Sequence, residues 1–548
     1  MSDWYKKMAF YQIWIRSFYD GNGDGIGDLE GVYEKLPYVK SLGVDGIWFS
    51  PLYPSPNADY GYDISDYKNI HPDYGTLDDF KRVLAKAHEL GLKVIMDLVI
   101  NHTSDEHPWF LESKKSKDNP YSDYYIWKDP KKDKLPNNWD SLFEGKAWEY
   151  VPERGQYYLH LFSRKQPDLN MDNPKVREEV KSIMRFWLDM GVDGFREDVI
   201  NFISKKEGLP NGLPFIPMAN GMPYYKDGPH IQEYLYEFRR VAEEYDCFLL
   251  GEGPMTTTKT ALSYMAGTGK KLDLMFNFDH MMADCFYTEY MHEPFNLRKL
   301  KKAFSKWQYE LAGKAWNTLY LENHDHPRII SRYGDDKKYH RESGTMLAVS
   351  YLFQQGTPFI YQGQEIGMTN IRLKSIDQYN DVSSKTNFER FHKDDPLWKR
   401  MARIYLSSRD SSRTPVQWDS SANAGFTKGE PWFYVNPNYK KINVAEEEKD
   451  PLSILNFYRK CLAYRKNSEV ALWGSYKEYF RADNYVYMYE RELYGKRLLV
   501  VCSFADHEVK FRLPMSMVGK KGKLVICNYK SHTTRTLQPY EARVYEVE

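Results

Sequence analysis

TLDDFKRVLAKAHELGLKVIMDLVINH, residues 76–102, decides the fold. Its first fifteen residues, 76–90, carry a helical pattern that stops at Gly91, the residue type that ends helices in the left-handed region. The next run, KVIMDLV at 93–99, is short and nearly all apolar, as a strand covered on both faces must be. Outward from this unit the alternation repeats. Strands are expected at 10–15 (FYQIWI), 45–50 (DGIWFS), 192–197, 247–251, 273–278 (DLMFNF), 317–321 (NTLYL) and 357–361 (TPFIY), with helical stretches between them. Eight such units predict an α/β chain, a (β/α)8 barrel whose chemistry sits on the loops after the strands' C-terminal ends.

Two stretches break the alternation. The polar, aromatic-rich segment after the third strand is too long for a structureless loop, so 101–174 is read as an inserted subdomain. The barrel then comprises 1–100 and 175–465, with 370–465 irregular and helical. From 466 to 548 short strands separated by turns (YVYMYERE, RLLVVCSF, KLVICNY, ARVYEVE) predict an antiparallel β domain.

Composition excludes several function classes. Lys plus Arg and Asp plus Glu are both 76, so no basic surplus marks a nucleic-acid binder. The five cysteines, Cys247, Cys285, Cys461, Cys502 and Cys527, have no metal-ligand spacing and predict no disulfide framework. MSDWYKKMAFYQIW does not read as a signal peptide, and no run of 18 apolar residues marks a membrane span. A reduced cytoplasmic enzyme, monomer or homodimer, acting on a small substrate is the expectation.

The polar residues at strand ends carry the chemistry. Strand three holds Asp97 and runs into Asn101 and His102; strand four ends at Arg196 and Asp198 in GVDGFREDVINFISK; strand five at Glu252 in FLLGEGP; strand seven at Asn323, His324 and Asp325 in LENHDHPR. Polar groups at four ends of one rim point to a site. Carboxylates on adjacent strands suit glycoside hydrolysis with retention, which uses two carboxyls roughly 5–5.5 Å apart. Arg196, two residues from Asp198, faces the same side and is expected to keep it ionised.

DLVINH, GFREDV, GEGP and ENHD, in this order and spacing, resemble the four short motifs of the α-amylase superfamily, glycoside hydrolase family 13. The chain is most similar to its oligo-1,6-glucosidase branch, with SPLYPSPNADYGYDISDY, QPDLN (166–170), SSRDSSRTPVQWD (407–419) and YQGQEIGMTN as supporting strings. The resemblance implies a retaining exo-acting α-glucosidase with Asp198 as nucleophile, Glu252 as general acid/base and Asp325 as third carboxylate. It implies that His102, Arg196 and His324 hold the cleaved glucose, that Tyr62 stacks on it, and that Asp59 and Arg409 close the pocket at the non-reducing end. Val199, where the α-1,4-specific maltases of the family have Thr, implies a preference for α-1,6 linkages such as isomaltose. Sucrose or trehalose 6-phosphate hydrolysis and sucrose isomerisation are the alternatives within the branch; FERFHKDDPL (388–397) does not match the Arg-rich loop of the isomerases. A binding scaffold of the amino-acid-transporter type is disfavoured by the intact carboxylates. Glu197 departs from the branch, which has an apolar residue there; alternation along the strand predicts that it points away from Asp198.

DGNGDGIGD places Asp20, Asn22, Asp24 and Asp28 at alternating positions, with the Ile26 carbonyl between, and resembles the front half of a calcium loop. A structural Ca2+, with Mg2+ as the alternative ion, is expected there, and no organic cofactor.

Overall fold

The computed structural model describes residues 3–132, 134–216, 219–390 and 393–548. The helix–strand unit at 76–102 shows how the fold is built. In the helix Leu77–Glu89, Thr76 and Asp79 form a reciprocal capping box, and Phe80, Val83, Leu84 and Ala87 are buried on one face. Gly91 turns the chain at φ 70°, and Gly191 repeats the joint at φ 106° after the helix Pro174–Asp189.

The strands β1 (Phe10–Ile13), β2 (Gly46–Phe49) and β3 (Lys93–Leu98) precede a small three-stranded sheet made of β4 (Trp127–Lys128), β5 (Trp148–Val151) and β6 (Gln156–Leu159). The barrel resumes with β7 (Gly194–Glu197), β8 (Phe248–Glu252), β9 (Leu274–Phe276), β10 (Thr318–Leu319) and β11 (Thr357–Tyr361). Eight parallel strands run in the order β10-β11-β1-β2-β3-β7-β8-β9, and each overlaps one of the expected runs. The barrel is nearly closed. Across the β9/β10 seam, side chains take over from the ladder: Thr318 Oγ1 donates to the Met275 carbonyl (3.0 Å) and the Tyr320 hydroxyl to the Asn277 carbonyl (2.6 Å).

After a helical stretch that includes Val382–Arg390, Leu397–Ser407 and Ile454–Asn467, the chain forms an antiparallel sheet. Its strands are β12 (Ser475–Tyr479), β13 (Val486–Leu493), β14 (Lys496–Ser503), β16 (Gly522–Cys527) and β18 (Ala542–Val547), with the short pair β15 (Val509–Lys510) and β17 (Thr536–Leu537) alongside. Among the described residues no helix is long and apolar enough to cross a membrane.

Candidate active site

Register sets the centre of the site. Asp97 pairs with Arg196 across β3 and β7, and Arg196 pairs with Leu250 across β7 and β8. Asp198 and Glu252 each lie two residues beyond that last pair, so they stand at one height on neighbouring strands, about 5 Å apart laterally. Arg196, fully buried, joins them: Nη1 lies 2.6 Å from Asp97 Oδ1 and 2.7 Å from Asp198 Oδ1, and Nη2 lies 2.5 Å from Glu252 Oε1. One guanidinium serves three carboxylates. Burial pushes Asp198 well above the ordinary carboxylate range and also raises Glu252; Arg196 opposes both shifts, while the neighbouring acids reinforce them. Asp97 is raised to about 6 by burial. With one cation among three acids, the titrations of Asp97, Asp198 and Glu252 are linked through Arg196.

Asp325 behaves oppositely. Burial alone would raise it, but His324 Nε2 at 2.9 Å, Arg413 Nη2 at 3.1 Å and Arg409 Nη1 at 3.3 Å hold it well below the ordinary range. His324 is sandwiched between Trp14 and Tyr62, with centroids 5.3 and 5.1 Å away, and burial lowers it to about 4. His102 is likewise lowered to about 4, and its Nε2 lies 3.1 Å from the Tyr62 carbonyl.

Asp59 and Arg409 meet at 3.0 Å, joining positions 350 residues apart. The geometry adds partners that the motifs did not flag. Asp381 Oδ1 accepts from Arg409 Nε (2.9 Å) and Nη2 (2.8 Å), and Gln166 Nε2 donates to Asp59 Oδ2 (3.3 Å). Gln166 and Arg413 lay inside quoted strings but carried no role; Asp381 had no signal, since it sits in a stretch read only as irregular. Asp168, also in QPDLN, pairs with Lys205 at 2.8 Å and accepts from Asn101, tying the insertion to the rim.

Asp59, Tyr62, His102, Asp198, Val199, Glu252, Asp325 and Arg409 line one cavity of about 690 Å³. Arg196 and His324 lie beneath it, with no exposed surface, and touch the carboxylates instead of the cavity. Val199 has φ 35°, ψ 41°, a left-handed conformation that costs a β-branched residue on the order of 1–3 kcal/mol. This turn aims its backbone N–H at Glu252 Oε2, 3.2 Å away. Glu197 is fully buried on the other side of β7, beside the Arg239–Asp273 pair, and neither of its oxygens has a hydrogen-bond partner among the described residues. Burial raises it to about 8.

In the loop after β1, Asp20 accepts from the amides of Gly23 (2.6 Å) and Gly25 (2.8 Å). Asp28 accepts from Asn22 (3.1 Å) and Gly31 (2.7 Å), and Asn22 Nδ2 donates to Asp24 Oδ2 (3.1 Å). The carboxylates thus face the loop's own amides in this conformation. Among the described residues the single group of His, Cys or acidic atoms converging within 4.8 Å is Asp284, Cys285 and His292, and there Arg332 already supplies the cation, 2.6 Å from Asp284. Of the segment 388–397, Phe391 and His392 lie outside the described residues.

Comparison with known proteins places this geometry. Residues 12–474 match the α-amylase catalytic domain. The chain is 50% identical to an oligo-1,6-glucosidase of Parageobacillus thermoglucosidasius, over 99% of both chains. It superposes on the crystal structure of Bacillus licheniformis trehalose-6-phosphate hydrolase with a TM-score of 0.94 (44% identity, 99% of both chains). On the trehalulose synthase of Pseudomonas mesoacidophila MX-45 the TM-score is 0.95 (40% identity, 100% of both chains).

Proposed function

The chain belongs to the α-amylase family of glycoside hydrolases, and from that premise we propose that it is a retaining, exo-acting α-glucosidase releasing α-glucose from short α-1,6-linked glucosides. The observation that carries the reading is the pair Asp198 and Glu252, level on adjacent strands and bridged by one guanidinium at the cavity floor.

Two steps follow. In the reactive form the proton of the pair sits on Glu252 and Asp198 is the carboxylate beside Arg196: Glu252 gives its proton to the glycosidic oxygen while Asp198 attacks C1, forming a β-glucosyl ester and freeing the leaving sugar. Glu252, now a carboxylate, takes a proton from water as the water oxygen attacks C1. The ester breaks and α-glucose leaves. Arg196 follows the negative charge as it shifts between Asp198 and Glu252. Asp325, ionised throughout, grips hydroxyls of the reacting ring. Asp59 and Arg409, backed by Asp381 and Gln166, wall off the non-reducing end, which favours removal of one terminal glucose.

The linkage preference rests on the relatives named oligo-1,6-glucosidase and on Val199, an apolar neighbour for a leaving sugar joined through its C6 methylene. Trehalose 6-phosphate is the rival that a solved relative raises. Against it, Arg409 is the one Lys or Arg among the described residues lining the cavity, and it is committed to Asp59, Asp325 and Asp381. A phosphate would instead meet a lining that contains Asp279 and Glu289.

We also propose a three-part chain, with 101–174 as a subdomain inserted in the barrel and 466–548 as a separate C-terminal β domain. The same reading includes a structural Ca2+ held by Asp20, Asn22, Asp24, the Ile26 carbonyl and Asp28. The donors are all hard oxygens, and among the described residues no Lys, Arg or His pairs with any of the three carboxylates. The ion would brace the turn after β1 and take no part in the chemistry. Five cysteines without disulfides suit a reducing, cytoplasmic setting.

The test is kcat/KM on isomaltose, maltose, sucrose and trehalose 6-phosphate in one assay. Isomaltose well ahead is the expected result. Trehalose 6-phosphate ahead would reject the charge argument and leave the carboxylate pair standing.

A further inference from the structure

The C-terminal sheet carries a second open groove, of about 1130 Å³. It lies where the helix Ile454–Asn467 runs into Glu469–Trp473 and where the ends of β13, β14, β16 and β18 come together. No residue lining it lines the catalytic cavity. One wall is the β13–β14 hairpin, whose turn is built against the usual preference. Leu493 pairs with Lys496, so the turn is the two residues between them, Tyr494 at φ 51° and Gly495 at φ 83°. A two-residue turn with both φ values positive favours Asn, Asp or Gly at its first position. Here that position holds a tyrosine in left-handed strain. It is 93% exposed, so the ring recovers little of that strain by packing.

The rest of the lining is polar and nearly balanced in charge. Lys496, Arg497, Lys521 and Lys523 are set against Glu469, Glu546 and Glu548. Lys523 and Glu546 stand opposite each other across β16 and β18, and the Tyr464 hydroxyl donates to Glu546 Oε1 (2.7 Å). Among the described residues Lys496, Lys521 and Lys523 carry no ion pair. An anion would meet three carboxylates here, and an apolar partner would bury unpaired charge. A neutral ligand rich in hydroxyls meets neither penalty. Its hydroxyls take hydrogen bonds from the lysines and give them to the carboxylates, and its C–H face lies on the exposed ring. We propose that this groove is a secondary binding site for α-glucan chains, separate from the catalytic cavity. That the saccharide is a glucan rests on the glucosidase reading above; the groove's fitness for a neutral polyol does not.

The experiment is native electrophoresis of the purified enzyme in gels containing dextran, pullulan or polyethylene glycol, beside a marker protein that binds none of them. The catalytic pocket, closed at the non-reducing end, takes chain ends, and these are scarce in a long polymer. Retardation therefore reports binding along the chain. Dextran or pullulan should retard the enzyme, and polyethylene glycol should not. Tyr494→Asn should weaken the retardation about fivefold or more, the range of one aromatic contact. The same variant should keep or raise the melting temperature, because Asn suits the turn, and leave kcat on isomaltose unchanged. Lys523→Met should weaken the retardation as well. No retardation by either glucan would overturn the proposal, as would equal retardation by polyethylene glycol or undiminished retardation in both folded variants. Retardation by glucan in an enzyme that prefers trehalose 6-phosphate would reject the linkage reading and leave the groove standing.

Discussion

Buried arginines do opposite work at the two ends of this molecule. At the catalytic rim Arg196 stands among Asp97, Asp198 and Glu252, more negative charge than it can neutralise. Where the barrel meets the C-terminal sheet, Arg465 and Arg491 are just as buried but touch carbonyl oxygens. Arg465 Nη1 donates to Leu352 (2.6 Å) and Gln354 (2.9 Å), and Arg491 to Phe353 (2.6 Å), Ala471 (2.7 Å) and Gly474 (2.6 Å). Burial without an acidic partner lowers them to about 10 and about 9, whereas its carboxylates raise Arg196 well above its ordinary value despite burial. The junction spends charge on the unpaired carbonyls at the ends of the helices His340–Leu352 and Glu469–Trp473, and its donors are matched to acceptors. At the rim one guanidinium faces three carboxyls, an arrangement that suits the proton transfer proposed for Glu252. A matched arginine holds structure; an outnumbered one serves chemistry.

The sharpest way to break this contrast is to neutralise the rim. Asp198→Asn should lower kcat by about four orders of magnitude or more with little change in melting temperature. Near-normal turnover would remove Asp198 from the centre of the mechanism. At the junction, Arg491→Met should do the reverse. It strands buried carbonyls and should cost about 2–4 kcal/mol in urea unfolding while kcat of the folded fraction stays close to wild type. A large loss of kcat without destabilisation would mean the two regions are not separable.

Glu197 tests the boundary between them, since it lies on the rim's own strand but faces the helices. Its folded pKa, about 8, is above the ordinary 4.5, so folding favours the protonated form. Wild-type stability should thus fall as pH rises from about 4.5 to about 8 and level off beyond, a slope that Glu197→Met removes. After discounting for relaxation, the variant should gain on the order of 2–3 kcal/mol above pH 8. Equal pH slopes for the two proteins in urea unfolding would show that Glu197 is ionised in the fold.

The loop after β1 predicts an effect of similar size. Chelation should lower stability by about 2–3 kcal/mol relative to Ca2+ at roughly a hundredfold over its Kd, with kcat unchanged once the protein is folded. Metal analysis of unchelated protein that finds neither Ca2+ nor Mg2+ would end that proposal. The smallest effect belongs to Val199→Thr. Both residues are β-branched and meet the same strain at φ 35°, so the swap isolates the hydroxyl. It should shift the isomaltose-to-maltose ratio of kcat/KM toward maltose by about tenfold, within the range one pocket group commands. An unchanged ratio would sever Val199 from specificity.

The barrel was legible in the sequence because its strands are covered on both faces. Such strands must be nearly all apolar, and the read run 357–361 coincides with β11, Thr357–Tyr361. Short strands were read too long, as at 317–321 against Thr318–Leu319, because the residues past the ladder stay apolar to pack under the loops. The carboxylates at the rim were legible for the opposite reason: charge at the end of a buried strand contradicts the pattern around it.

Sequence by itself determined the elements, their alternation and the polar residue types at the rim, since these follow from local periodicity and from charge set against it. Tertiary structure alone decided the partners. Arg409 finds Asp59 across 350 positions and Asp381 across 28, Arg413 reaches Asp325 across 88, and Val199 takes a left-handed turn that no Val prefers. Such pairings depend on barrel closure and register, which bring together loops whose separation along the chain carries no periodic trace.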